Sequence, residues 1–220
     1  MKTILLTGFE PFGGEDVNPS LEAVKRLDGQ IIGGVKVVGV GLPVSWDKAA
    51  APLFAAIETA RPFAVISVGQ AGSRAKLAVE RIGINICFGP DNDGVTRDGE
   101  PVVEGAPDGY FCSLPVVEIT QAMNAAGIPS YVSNTAGTYL CNFVTYILEH
   151  YVRNNNPSVK TCFIHIPFLP EQTVGKKEVG LASMSLDSIV LGLRAAVEYV
   201  ATGIAAGGEI AVGNKGDVTH

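Results

Sequence analysis

The chain lacks the features that mark membrane proteins, nucleic-acid-binding proteins and zinc proteins. No apolar run approaches the roughly 20 residues needed to cross a bilayer, so we expect no membrane-spanning segment. The 16 Lys and Arg residues are scattered and the net charge is −6, which argues against nucleic-acid binding. Its four cysteines have no CxxC spacing and only three histidines accompany them, so a structural zinc site is not expected.

The composition instead predicts one domain with a large core. Of the 220 residues, 47% are hydrophobic and only 17% are charged, which is far from the composition of disordered chains. We predict a single α/β domain over residues 1–202 and a glycine-rich extension over residues 203–220, with Glu209–Val212 as a candidate short strand. The N-terminal apolar run is too short for a signal-peptide core and predicts a first strand, so we expect a cytoplasmic protein with reduced thiols.

Short β-branched runs alternate with helical segments along the chain. This alternation predicts an α/β sandwich with a largely parallel sheet, because strands that are apolar on both faces are covered by helices on each side. The predicted strands are Thr3–Thr7, Val35–Gly41, Phe63–Gly69, Ser130–Ser133 and Thr161–Ile166, with a further strand-like run at Leu77–Ile86. The predicted helices are Pro19–Leu27, Trp46–Ala60, Val116–Ala126, Leu140–Asn155 and Leu186–Ala201. Residues 88–110 are rich in Gly, Pro and Asp and predict a long, functional excursion.

Cys141 stands at the start of a predicted helix, after a turn that contains glycine. The first amides of a helix stabilise negative charge, and a thiol placed there tends to ionise into a nucleophilic thiolate. It lies at the edge of the apolar stripe of its helix, so a small buried thiol that fills the core is the alternative interpretation.

A nucleophilic cysteine needs a base, and the three histidines leave one good candidate. His150 lies nine residues beyond Cys141 on the same helix, so it is on the opposite face and about 13 Å along the axis. His220 is the last residue of the glycine-rich extension. His165 lies at the end of a predicted strand, where α/β sheets place ligand-binding residues, although a core histidine bonded to backbone is the alternative.

Glu80 is the candidate for the group that orients the base. It interrupts an otherwise apolar run, and a buried carboxylate needs a partner. A pair with Arg81 at a sheet edge is the alternative, which is weakened because adjacent strand residues point to opposite faces.

The glycine-rich loop after the first strand does not fit a phosphate site. It lacks the Walker lysine and any GxGxxG, and it carries acidic residues that would repel phosphate. Phe9 and Phe12 lie on this loop, where a small apolar ligand could pack between them, or where they could pack on the core.

These motifs together resemble the type I pyroglutamyl peptidases over about residues 1–202. The matching segments are LLTGFEPFGG with a following NPS, GQAG followed by VERIGIN, SNTAGTYLCNFVTY, FIHIPFLPEQ and SMSLDSIVLGL. The resemblance implies a three-layer α/β/α sandwich around a mixed, mostly parallel sheet, similar to purine nucleoside phosphorylases. It implies a cysteine peptidase that hydrolyses the amide bond after an N-terminal pyroglutamyl (5-oxoproline) residue, with no metal or cofactor, and a tetrameric or dimeric assembly.

The resemblance also implies roles for individual residues. Cys141 would be the nucleophile, His165 the general base and acid, and Glu80 the orienting acid. The residues expected to bind the substrate are Phe9 and Phe12, which would sandwich the lactam ring, Asn18 and Gln70 near its polar edge, and Tyr139 and Leu140.

The chain departs from the family pattern at two places. Gly83 stands where the family usually has alanine. The stretch before Pro90-Asp91-Asn92 lacks an arginine that is thought to support the oxyanion region, which leaves that task to backbone amides such as those of Leu140 and Cys141. Two other functions stay open: a phosphorylase or nucleosidase on the same fold, for which no anion site of Arg or Ser is evident, and a binding module without turnover.

Overall fold

The structure, a computed structural model, describes residues 1–72 and 74–205. Within them, the strands in chain order are β1 (Thr3–Phe9), β2 (Ile31–Ile32), β3 (Val35–Leu42), β4 (Ala64–Gln70), β5 (Leu77–Glu80), β6 (Ile82–Ile84), β7 (Cys87–Pro90), β8 (Thr96–Glu100), β9 (Gly109–Phe111), β10 (Ser130–Ser133) and β11 (Lys160–Ile166). The helices are α1 (Pro19–Leu27), α2 (Ala50–Ala60), α3 (Val116–Ala125), α4 (Leu140–Asn155), α5 (Pro170–Thr173) and α6 (Leu186–Ala205).

Seven strands form the central sheet in the order β10-β5-β11-β4-β1-β3-β2. The pairs β1–β3, β1–β4, β11–β4 and β10–β5 are parallel, whereas β5 runs antiparallel to β11 and β2 runs antiparallel to β3. The carboxyl ends of β1, β3, β4 and β11 therefore meet at one edge, where open α/β sheets bind their ligands.

Helices cover both faces of this sheet and create two cores. One core packs α1, α3 and α6 against residues such as Ile66 and Ile164, and the other packs α2 and α4 against residues such as Val65 and Phe163. Neighbouring strand residues thus enter opposite cores, as their alternation requires. The predicted three-layer α/β/α sandwich with a mixed, mostly parallel sheet is confirmed.

Most predicted elements are present with small shifts at their ends. The helix Pro19–Leu27 is confirmed, and its N-cap Asn18 accepts a hydrogen bond from the Ser20 amide at 3.0 Å. The helix predicted from Trp46 begins instead at Ala50, because Pro52 cannot donate a backbone hydrogen bond and therefore belongs in a first turn.

The excursion predicted over residues 88–110 is not a structureless loop. It contains most of the β7–β8 hairpin and the start of β9, which pairs with β6. The turn of the hairpin is held by Asp91, whose carboxylate accepts hydrogen bonds from the amides of Trp46 at 2.9 Å and Val95 at 2.8 Å. Asn92 donates to the Pro11 carbonyl at 2.9 Å, so the hairpin is fastened to the loop that follows β1.

Two predictions concern the C-terminal part of the chain. Helix α6 continues to Ala205, past the boundary predicted at residue 202. The candidate strand Glu209–Val212 lies outside the described residues. In the described part of the chain, no helix is long and apolar enough to cross a membrane.

Candidate active site

Cys141 is the second residue of α4, close to the carboxyl edge of the sheet. The N-cap residue Tyr139 makes no side-chain capping bond, so no cap occupies the first amides of the helix. The cysteine sulfur lies over Gly69 of β4: a Cβ built on Gly69 would be 2.8 Å from Sγ. Cys141 is therefore half-buried above a strand end, where it packs against the edge of the core between α4 and the sheet.

The strand register brings His165 beside the same glycine. His165 of β11 pairs with Gly69 of β4, and residues paired in a parallel ladder point to the same face. Because the direction of the missing Gly69 side chain leads to the Cys141 sulfur, His165 and Cys141 share this face of the sheet. The ring of Phe163 borders them, with its centroid 4.8 Å from that of His165.

Glu80 completes the arrangement. His165 Nδ1 lies 2.7 Å from Glu80 Oε1, and both side chains are buried. A carboxylate at this distance holds Nδ1–H and leaves Nε2 to exchange a proton with the neighbouring group. The structure thus brings together the three residues for which the sequence predicted catalytic roles.

The alternative pairing of Glu80 with Arg81 is wrong. Arg81 lies between β5 and β6, and its Nε donates to Asn134 Oδ1 at 2.9 Å. Glu80 is paired instead with Arg74, whose Nη1 donates to Oε1 at 2.7 Å and whose Nη2 donates to the Thr135 carbonyl at 2.9 Å.

The remaining histidines are not in this cluster. His150 Nδ1 lies 3.0 Å from the hydroxyl of Tyr110, and its ring stacks on Tyr146. This location supports the prediction that His150 cannot act on Cys141 in one subunit. His220 lies outside the described residues.

The surroundings of Cys141 act against the ionisation that the helix N-terminus favours. Burial, reinforced by the charge of Glu80, raises the pKa of the Cys141 thiol to about 12, although Arg74 opposes the shift. Burial also lowers the pKa of His165, and hydrogen bonding to Glu80 only partly offsets this. The helix N-terminus favours the thiolate, whereas these two shifts favour the neutral thiol and the neutral imidazole, because burial penalises the charged forms.

A small cleft opens beside the cysteine. Its wall contains all six residues expected to bind the substrate, together with Val44 and Cys141. Those six are Phe9, Phe12, Asn18, Gln70, Tyr139 and Leu140. The wall is mostly apolar, as the sites of small ligands usually are.

The polar members of the wall are already partly engaged. Asn18 Oδ1 accepts from Ser20, and its Nδ2 donates to the Glu10 carbonyl at 2.9 Å, so Asn18 shapes the loop as well as lining the cleft. Gln70 Oε1 accepts from Gln172 Nε2 at 3.0 Å. The hydroxyl of Tyr139 donates to the Pro90 carbonyl at 2.6 Å.

Gly83 allows a close approach between β6 and α4. A Cβ built there would lie 2.8 Å from the Tyr146 backbone nitrogen, so alanine would require the backbone to shift. Glycine at position 83, where the family usually has alanine, therefore fits this close packing. Among the residues that the structure describes, no group of three or more His, Cys, Asp and Glu side chains is placed to hold a metal ion.

The comparisons with known proteins agree with this geometry. The profile of the pyroglutamyl peptidase family matches residues 2–203. The chain belongs to the pyroglutamyl peptidase family. This is a family of cysteine peptidases that remove N-terminal pyroglutamate, so the expectation of a cysteine-type exopeptidase is confirmed.

Two curated relatives show how far the similarity extends. The pyrrolidone-carboxylate peptidase of Coprothermobacter proteolyticus is 51% identical over 206 residues, which covers 93% of this chain and 99% of the relative. That of Treponema denticola is 46% identical over 202 residues, covering 90% of this chain and 92% of the relative.

Solved structures of the family share the fold over nearly the whole chain. Pyroglutamyl peptidase I of Bacillus amyloliquefaciens superposes with a TM-score of 0.88 at 42% identity, covering 91% of this chain and 97% of that one. The pyrrolidone carboxyl peptidase of Thermococcus litoralis gives a TM-score of 0.90 at 38% identity, covering 94% and 97%.

Sequence reasoning missed two polar residues of this pyroglutamyl peptidase site. Arg74 pairs with Glu80, and Gln172 bonds to Gln70. Arg74 follows the GQAG motif, and Gln172 ends the FIHIPFLPEQ motif, so both lie inside or beside segments that carry the resemblance. Their location next to Glu80 and Gln70, however, depends on contacts that no local pattern predicts.

Proposed function

We propose that Cys141, His165 and Glu80 are the catalytic residues of this pyroglutamyl peptidase. The observation that supports this most is the space above Gly69, where the Cys141 sulfur and the His165 ring lie on one face of the sheet. A nucleophile on the same face of the sheet as a base, together with a carboxylate bonded to that base, is the arrangement expected of a cysteine hydrolase.

The reaction is acyl transfer through a thioester. His165 Nε2 takes the proton from Cys141 Sγ as the sulfur attacks the carbonyl carbon of the pyroglutamyl residue. The tetrahedral intermediate collapses when the C–N bond breaks and His165 returns the proton to the leaving amine. Water then attacks the thioester while His165 takes its proton. The C–S bond breaks, His165 returns that proton to the sulfur, and free pyroglutamate leaves.

The oxyanion is stabilised by backbone amides at the start of α4. The amides of Leu140 and Cys141 belong to the first turn, and no side chain caps them. The positive end of the helix dipole at this turn also favours the negative charge that develops on the carbonyl oxygen during the reaction.

The cleft selects pyroglutamyl peptides because it offers apolar walls and few polar groups. Phe9 is buried and Phe12 is partly exposed, so the lactam ring would lie between a fixed and an accessible ring. An ordinary N-terminus carries an ammonium group, which would lose its hydration without gaining a counter-charge in this cleft.

We also propose that the enzyme acts in the cytoplasm as a homo-oligomer. Its four cysteines are free thiols, which a reducing compartment would preserve. Exposed apolar side chains near α5, Val174 and Val179, are candidates for a contact between copies. The neighbouring segment Phe168-Leu169-Pro170 is less suitable for such a contact, since Leu169 is buried within its own chain.

The test is hydrolysis of a fluorogenic pyroglutamyl amide under reducing conditions. Replacing Cys141 with Ala should abolish turnover, and so should alkylation of the native enzyme, with mass spectrometry placing the adduct on Cys141. Replacing Cys112 with Ala is the control, because this thiol lies in the core of the opposite face. Unchanged turnover in the Cys141→Ala variant would overturn the assignment.

The same assay separates the other functions. Turnover that requires inorganic phosphate and a nucleoside would identify a phosphorylase. Binding of pyroglutamate without any hydrolysis by the native chain would identify a binding module. Light scattering of the native chain tests the oligomer, and a monomer at assay concentration would overturn that part of the proposal.

A further inference from the structure

The amide of Gln172 has a fixed orientation because both of its ends meet partners of unambiguous type. Its Oε1 accepts from the backbone N–H of Leu169 at 2.9 Å, and a backbone N–H can only donate. Its Nε2 faces the Val17 carbonyl at 3.3 Å and Glu15 Oε2 at 3.2 Å, which can only accept at neutral pH. Exchanging the oxygen and nitrogen of Gln172 would break all three contacts, so its neighbours determine which end is the oxygen.

This orientation determines how Gln70 is turned. Gln172 Nε2 also lies 3.0 Å from the Gln70 amide. An amide NH₂ group carries two hydrogens and cannot accept, so it shares them among the three oxygens around it, and Gln70 must present its oxygen there. The NH₂ group of Gln70 is then left on the other side. Gln70 is the last residue of β4 and lines the cleft, and within the described residues its NH₂ group has no acceptor.

Both side chains are buried, so neither can exchange these bonds freely for bonds to water. Gln70 is 9% exposed and Gln172 is 6% exposed. Gln172 is itself held in α5 between its bond to Leu169 and its bonds to the segment before α1. A chain of hydrogen bonds therefore connects the backbone groups of Leu169 and Val17 to the Gln172 amide and then to the Gln70 amide, which lies in the wall of the cleft.

We propose that Gln172 is a positioning residue that makes Gln70 a hydrogen-bond donor of the substrate cleft and so selects a ring that carries a carbonyl. This rests on the proposed function of the cleft as the site of the pyroglutamyl ring. The 5-oxoproline ring has a carbonyl oxygen next to its nitrogen, which accepts the Gln70 NH₂ bond. A proline ring has no acceptor there and carries a protonated amine, which is another donor, so the same wall leaves both groups unpaired.

The experiment is a double-mutant cycle on Gln172→Met and Gln70→Met, with pyroglutamyl and prolyl fluorogenic amides as substrates. Methionine matches glutamine in size but lacks the side-chain amide, so it cannot make these hydrogen bonds. In Gln172→Met the Gln70 amide is free to rotate and must be ordered by the substrate, so KM for the pyroglutamyl amide should rise about threefold to tenfold with kcat nearly unchanged. In Gln70→Met the donor is lost, and the preference for the pyroglutamyl over the prolyl amide should fall roughly 10-fold to 100-fold.

The double variant provides the decisive result. If Gln172 acts through Gln70, the double variant should equal Gln70→Met, because without the donor there is nothing left to position. Gln121→Met, an exposed change on α3, is the control and should match the native enzyme. The rate of Cys141 alkylation and the melting temperature identify a variant that has lost its fold.

Each outcome bears on one proposal. Effects of the two variants that multiply in the double variant, or an unchanged KM in Gln172→Met, would overturn the role of Gln172. If the native chain does not hydrolyse the pyroglutamyl amide, the proposed function itself fails. If it hydrolyses that amide and Gln70→Met leaves the substrate preference unchanged, the cleft is confirmed but the donor is elsewhere.

Discussion

The sulfur of Cys141 occupies the space that a side chain at Gly69 would take. A Cβ built on Gly69 would lie 2.8 Å from Sγ and 2.7 Å from Cζ of Phe163, distances that real Cβ atoms essentially never show. The missing side chain therefore lets α4 bring its first turn close to the sheet. Glycine is required at position 69 because a side chain would collide with its neighbours. It is not required by the backbone, whose φ angle suits any residue.

Replacing Gly69 with Ala should displace the nucleophile. We expect a loss of about 100-fold or more in kcat/KM, because a displacement of about 1 Å is enough to misalign attack. The free energy of unfolding should fall by about 1–3 kcal/mol from overpacking, as measured in urea. Gly203→Ala is the control, since no atom of the described residues lies within 4 Å of a Cβ built there. Full activity in the Gly69→Ala variant would show that the sulfur does not need this position.

Arg74 should control the pH profile through Glu80. Its charge lowers the pKa of His165 and also lowers that of Cys141. In Arg74→Met we therefore expect the acid limb of kcat/KM to move to higher pH, together with a loss of about tenfold or more at the optimum. Stability should fall by about 1.5–3 kcal/mol, because the buried Glu80 loses a charged hydrogen bond. Arg81→Met is the matched control, and an unmoved acid limb in Arg74→Met would contradict this role.

The native pH profile should show a neutral thiol at Cys141 and a neutral imidazole at His165 before the substrate binds. Burial lowers the pKa of His165 below the usual value of about 6.5, so the imidazole stays a base where an exposed histidine is already protonated. The acid limb of kcat/KM should accordingly lie below about pH 6.5. The pKa of Cys141 is raised to about 12, so its alkylation rate should climb steadily with pH through the neutral range. A flat alkylation rate between pH 6 and 8 would instead indicate a thiolate–imidazolium pair, whereas His150→Gln should leave both profiles unchanged.

Local patterns in the sequence predicted most of the fold. Continuous apolar runs gave β4 and β11 within one residue at each end, and the pair Asn18-Pro19 placed the start of α1 correctly. The β7–β8 hairpin was missed because the strand Thr96–Glu100 carries mostly polar and charged residues and has no apolar alternation. The four-residue helix α5 is too short for a helical period to be visible.

The candidate site was predictable only where the signal was local. Glu80 stood out as a carboxylate in an apolar run, and His165 as a strand-end histidine. Gln172 gave no such signal, because its partner Gln70 is 102 residues away and their contact requires the finished sheet. The helix end that favours the Cys141 thiolate is visible in the sequence, but the burial that raises the thiol pKa is not.

Asn142, next to the nucleophile, should be required for stability. It is fully buried, its Oδ1 accepts from the Ile84 amide at 2.9 Å, and its Nδ2 donates to the carbonyls of Ile84 at 2.8 Å and Ile86 at 3.0 Å. In Asn142→Asp the side chain keeps its size but loses both donors and faces two carbonyl oxygens. The helix dipole favours a carboxylate near the start of α4 by at most about 1 kcal/mol, which offsets only part of this cost. The free energy of unfolding, measured in urea, should therefore fall by about 2–4 kcal/mol. Asn154→Asp, exposed on the same helix, should cost less than about 1 kcal/mol. Equal stability of the two variants would mean that α4 is held on the sheet by its apolar stripe alone.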